Sequence, residues 1–166
     1  MSSISKPLLQ WFDQHGRHSL PWQASHSSPA NIYHVWLSEI MLQQTQVSTV
    51  IDYFNNFIHH FPSLAILADA SEDNVLAQWA GLGYYARARN LHKSAKIIMQ
   101  DYQGVFPDNI EQVVALPGIG EPTAGAILSI SHNQNHAILD GNVKRVLSRY
   151  HQVKGHYGQA QTLKQL

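Results

Sequence analysis

No segment of this chain sustains an alternation of apolar and polar residues. Its apolar residues instead return every third or fourth position, the spacing of one buried face of a helix. Val35, Trp36, Leu37, Ile40 and Met41 form such a face, the polar run QQTQ at 43–46 interrupts it, and Val47, Val50, Ile51, Phe54, Phe57, Ile58 and Phe61 resume it. Leu8, Leu9, Trp11 and Phe12 predict an earlier helix ended by Gly16, while residues 20–33, rich in Pro and Ser, read as loop. Ser71 before Glu72 and Asp73 predicts a helix start, with Val75, Leu76 and Trp79 carrying it to Gly81. Further helices are expected over 85–102, from a capping-box pair Asp108 and Glu111 to Leu116, from Pro122 or Thr123 to Ile130, and from Gly141 or Asn142 onward. The fold class is therefore all-α, without repeats or low-complexity tracts. The final GQAQTLKQL stops inside a helix-like pattern with no stop signal, so the chain is expected to be part of a longer protein.

A chain of 166 residues can bury one real core, and 44% apolar against 13% charged residues marks it as globular. It has no apolar run of about 18 residues, hence no expected membrane span, and nothing before Pro7 reads as a secretory signal. The absence of cysteine excludes disulfides, thiolate metal sites and a cysteine nucleophile within these residues, and fits a cytoplasmic location. His132 with His136 and His15 with His18 lack the spacing and carboxylate partners of a metal site, so no metal is expected. Net charge is zero but unevenly spread, with two basic against six acidic residues in 1–80 and nine against five in 81–166. Arg87, Arg89, Lys93, Lys96 and then Lys144, Arg145, Arg149, Lys154 form basic clusters. Such clusters are footprints for phosphates, although charge alone fits a solvated helix face equally well.

L-P-G-I-G at 116–120, followed by Thr123 and Ala124, reads as a tight turn between two helices. Gly118 and Gly120 permit positive φ and close approach of another chain. The free N–H groups of the next helix start would then take a phosphate without side-chain charge. An ordinary helix–turn–helix is the competing reading, and the length of the motif weighs against it. Glu39 sits among Trp36, Leu37, Ile40 and Met41, so partial desolvation should raise its pKa and let it hold a proton near neutrality. The plain alternative is a Glu on the solvent edge of an amphipathic helix. Asp140 reads as the N-cap of DGNVKRVLSR, and most such residues only cap. Together the two suit cleavage of an N-glycosidic bond, which needs an acid for the leaving base and a carboxylate for the oxocarbenium-like sugar.

At these motifs the chain resembles the helix–hairpin–helix DNA glycosylases and, within them, the adenine DNA glycosylases of the MutY type. The segments that carry the resemblance are LPW at 20–22, VWLSEIMLQQTQV at 35–47, WAGLGYYARARNLHK at 79–93, LPGIG-x-x-TAGAI at 116–127 and ILDGNVKRVLSR at 138–149. LQQTQ and GLGYYARARNL separate this branch from endonuclease III-like relatives. The resemblance implies a six-helix glycosylase core over 31–150. An N-terminal helix and loop over 1–30 would pack on a segment beyond this chain, and 151–166 would begin that C-terminal part. It implies removal of adenine mispaired with 8-oxoguanine or guanine in double-stranded DNA, by a monomer.

The same resemblance implies roles for individual residues. Glu39 would protonate adenine and help activate water, and Asp140 would stabilise or trap the sugar cation. Gln44 and Thr45 would form the wedge that enters the duplex, and Tyr84 would stack beside the oxidised guanine. Trp22 and Leu42 would wall the adenine pocket. Gly118 and Gly120 would hold a phosphate, with Asn142 and Lys144 as further DNA contacts. For Tyr84 and Trp22 core packing is the alternative. The chain departs from the family pattern at three places. Pro122 stands where lyase-type relatives carry a Schiff-base Lys and adenine glycosylases a Ser or Tyr. The loop from Gln23 to Tyr33 reads several residues longer. The four cysteines of the family's 4Fe-4S cluster would lie beyond Leu166, so this chain binds no cofactor itself. Two other functions are weighed: an endonuclease III-like glycosylase/lyase, disfavoured by the missing Lys, and a catalytically inactive DNA-binding fragment.

Overall fold

The computed structural model describes residues 4–23, 30–156 and 158–159. Among them are nine helices and no strand, the all-α class that the periodicity predicts: α1 (Ser5–His15), α2 (Ile32–Leu42), α3 (Val47–His60), α4 (Leu64–Asp69), α5 (Glu72–Trp79), α6 (Ala86–Asp101), α7 (Ile110–Val114), α8 (Glu121–His132) and α9 (Gly141–Tyr150). The longer 23–33 loop falls largely on residues 24–29, and the helix-like tail on 160–166, both outside the described residues.

α2 is the centre. Val35, Trp36, Leu37, Ser38, Ile40 and Met41 are all buried, and the helix packs on α3, α6 and α8. Apolar residues around most of its circumference suit a helix with neighbours on several sides rather than one stripe. Asn31 fixes its start by accepting from the Tyr33 N–H at 2.9 Å, and the Tyr33 hydroxyl donates to the Phe61 carbonyl at 2.7 Å. Around it stand Val50, Phe54 and Phe57 of α3, Leu91, Ala95 and Ile98 of α6, and Ala124, Ile127 and Leu128 of α8. α1 and α9 bury none of their residues, so Leu8, Leu9, Trp11 and Phe12 form an exposed face.

Three boundaries differ from expectation. α4 was not foreseen: six residues are too few to show a period, although Ser63 caps the helix by accepting from the Ile66 N–H. α7 begins one residue later than the Asp108 pattern suggests. Asn109, not Asp108, is the cap, and its side chain accepts from the N–H groups of Glu111 and Gln112 at 2.9 and 3.2 Å. α8 starts at Glu121, with Pro122 inside its first turn, where a missing N–H is no loss. Asn109→Ala should cost about 1 kcal/mol in urea unfolding while Asp108→Ala stays within about 0.5 kcal/mol of wild type. The reverse order would restore Asp108 as the cap.

Candidate active site

The end of α2, the turn that follows it, and the starts of α8 and α9 surround a cleft of about 720 Å³. Of the residues expected from sequence, Glu39, Leu42, Gln44, Thr45, Asp140 and Asn142 line it; Pro122 and Arg145 join them. Glu39 is half-buried on the most buried helix of the fold. That burial pushes its carboxyl up from the ordinary 4.5 to about 7, and the charge of Asp140 pushes the same way. Asp140 is held from the other side: its carboxylate accepts from the Val143 N–H at 2.7 Å and its carbonyl from the Lys144 N–H at 2.9 Å. One carboxyl that can donate a proton near neutrality thus faces one fixed at a helix start.

The turn after α2 is strained. Gln44 has φ 59° without being glycine and points an exposed side chain from the lip of the cleft. Tyr84 shares this backbone conformation at φ 49° and is 63% exposed, so it is not core packing. Arg87 lies between the two and corrects the sequence reading. It was counted in a basic surface cluster, yet it is 8% exposed. Its Nη1 reaches the carbonyls of Ile40, Met41 and Gln43 at 3.1, 2.7 and 2.6 Å, and its Nη2 those of Leu82 and Gly83 at 3.4 and 3.1 Å. Arg89 in turn meets Glu72 at 3.5 Å. The first basic cluster is therefore not one phosphate-facing surface.

The glycine hairpin joins α7 to α8, anchored by buried Leu116 and Ile119. Ser94 donates to the Pro117 carbonyl at 3.1 Å. Gly118 has φ +80°, and a Cβ there would stand 2.9 Å from Asn90 Cβ, so this position needs glycine. Gly120 is different: it is extended, and a Cβ would meet only ordinary contact. As the N-cap of α8 it carries no side-chain acceptor, which leaves the first-turn N–H groups without a side-chain cap.

Trp22 lies outside the cleft lining. It is buried, with its ring edge-on to Phe54 at 5.2 Å, the core position named as its alternative. Lys144 is also outside the lining, and the cleft residue of that motif is its neighbour Arg145, whose Nη2 donates to Asn142 Oδ1 at 2.7 Å. Helical spacing from Asn142 held this signal, since positions three apart share a face and positions two apart do not. Among the described residues no group of three or more His, Asp or Glu could hold a metal.

Two helices joined by a glycine turn, beside a cleft with two carboxyls, define a helix–hairpin–helix architecture. Residues 37–166 match the HhH-GPD superfamily base excision DNA repair proteins, and the chain belongs to that family. It is similar to the adenine DNA glycosylase of Buchnera aphidicola subsp. Acyrthosiphon pisum, with 52% identity over 92% of this chain and 42% of that protein. It is also similar to the adenine DNA glycosylase of Rattus norvegicus, with 44% identity over 90% of this chain and 30% of that protein. The chain thus spans about two-fifths or less of the length of these relatives. A thermostable thymine-DNA glycosylase shares the fold, with a TM-score of 0.77 at 22% identity over 86% of this chain and 64% of its own.

The raised pKa of Glu39 has a measurable sign. Between 4.5 and about 7 the folded chain keeps a proton that the unfolded chain has released. Stability from Glu39 is therefore complete below 4.5 and is lost as pH rises through about 7. Urea unfolding at about pH 5 and about pH 8 should show wild type losing stability relative to Glu39→Gln. Identical pH dependence in both would mean that Glu39 titrates as an exposed Glu.

Proposed function

We propose that this chain hydrolyses the N-glycosidic bond of adenine mispaired with 8-oxoguanine or guanine in duplex DNA, without a lyase step. The observation that carries the reading is the pairing of Glu39, with its pKa near 7, and Asp140 in one cleft. The adenine specificity comes from the relatives' name. The bond to be cut is out of reach inside a stacked duplex, so the adenine must first be extruded. The Gln44–Thr45 turn, with Gln44 exposed beside the cleft, is suited to fill the space it leaves, and exposed Tyr84 to stack beside the opposite base. Leu42 supplies apolar wall, while buried Trp22 enters no step. Protonated Glu39 donates to the adenine ring and makes it a neutral leaving group. The Asp140 carboxylate stabilises the sugar cation, and the deprotonated Glu39 then takes a proton from the attacking water.

DNA would be held at the hairpin by the uncapped first-turn amides of α8, with Gly118 allowing the turn, and at the start of α9 by Asn142, Arg145 and Lys144. We take the protein to act as an intracellular monomer, with 31–150 as the glycosylase core. The family's 4Fe-4S cluster does not fit the residues present, because the chain has no cysteine. No step above passes through it.

Glu39→Gln should keep duplex binding yet lower single-turnover adenine excision by several orders of magnitude, because an amide cannot donate the proton; near-normal excision would refute the acid role. Excision by wild type should also fall as pH rises above about 7. Pro122 lines the cleft but offers no amine for a Schiff base. Borohydride should therefore trap no covalent complex with wild type, and Pro122→Lys should create one, since the first helical turn has no need of the Pro ring. Strong trapping with wild type would favour the endonuclease III-like reading. A folded, excising Pro122→Lys that never traps would mean that position 122 does not face the sugar.

A further inference from the structure

Two segments far apart in sequence end on one guanidinium. Arg87 reaches three carbonyls at the end of α2 and two in the 82–83 turn, at 2.6 to 3.4 Å. Its carbon lies 5.5 Å from the Trp79 ring centre and 5.4 Å from that of Tyr84. Trp79 also donates its Nε1–H to the Gly83 carbonyl at 3.1 Å, so the 82–83 turn is gripped from two directions. Immediately after each gripped carbonyl, Gln43 in one segment and Gly83 in the other, comes a residue forced to positive φ: Gln44 at 59° and Tyr84 at 49°. Such a conformation is unfavourable for a non-glycine residue and persists only where its surroundings over-determine it.

We propose that Arg87 is a positioning residue that fixes the Gln44–Thr45 turn relative to the Tyr84 ring, so that the two meet one mispair as a rigid pair. The proposal rests on the reading of Gln44, Thr45 and Tyr84 as mispair contacts given above. A planar fork can serve acceptors on two sides at once and lie against two rings; the single ammonium of Lys cannot. A cation spent on phosphates would face solvent, and this one does not.

The test is single-turnover excision of adenine opposite 8-oxoguanine and opposite guanine, by four forms of the full chain. These are wild type, Arg87→Lys, the pair Gln44→Ala with Tyr84→Ala, and the triple variant. Arg87→Lys should lose on the order of tenfold of the preference for 8-oxoguanine, and should change nothing further once Gln44 and Tyr84 are already Ala. Equal loss on both mispairs, the same loss in both backgrounds, or a wild type without preference would overturn the proposal. Hydrogen exchange on wild type needs no variant to fold. The hydrogen-bonded amides of Gln43, Thr45 and Leu82 should open with one free energy and one urea dependence, because a single group holds both segments. Separate openings would overturn it too. A wild type that excises adenine from neither duplex would end the proposed function, and exchange would then decide the role of Arg87 alone.

Discussion

The last carbonyls of a helix have no partners within it, and burial without partners is costly. α2 ends beside the core with this problem, and Arg87 answers it by bringing its donors to the carbonyls of Ile40, Met41 and Gln43. The exchange is mutual. A buried guanidinium would itself be untenable without acceptors and aromatic faces around it, and the end of α2, the 82–83 turn, Trp79 and Tyr84 supply them. Because α2 packs on α3, α6 and α8, the point at which it stops sets where the cleft begins and where the chain leaves toward Gln44.

The same central helix explains Glu39. A carboxyl on the flank of a surface helix would stay ionised; this one sits on a helix most of whose other residues are buried. Its pKa near 7 is thus set first by burial at the position α2 takes in the fold and second by the charge of Asp140. That carboxyl costs stability whenever it ionises.

Much of this was legible in the sequence, for identifiable reasons. Helices that show a full period, such as 35–42 and 86–101, were readable because a buried face repeats. α4 and the start of α7 were not, because short elements are defined by their caps, and Ser63 and Asn109 are common loop residues too. At the site, Glu39 and Asp140 were legible from their motifs, and the cleft brings them together. Arg87 was misread because composition counts charges without saying which way they face. Trp22 packs on Phe54 outside the cleft lining, and its motif alone does not distinguish that core position from a pocket wall. Arg145 was legible only as part of a basic cluster, and the helical spacing from Asn142 is what brings it to the cleft.

With zero net charge and Arg87 buried in the fold, long-range attraction to phosphate is weak by the standards of nucleic-acid binders. The hairpin offers a different kind of contact. Backbone N–H groups at the start of α8 carry the positive end of the helix dipole, need no mobile side chain, and are oriented before any ligand arrives. Gly118 makes that orientation possible by turning where a Cβ would strike Asn90, and Ser94 ties the turn to α6 through the Pro117 carbonyl. α6 therefore serves both ends of the proposed interface, holding the hairpin through Ser94 and the Gln44 and Tyr84 turns through Arg87. Phosphate grip and base contact would be set by one rigid helix, and a backbone placed by the hairpin would present its bases at a fixed distance from the cleft.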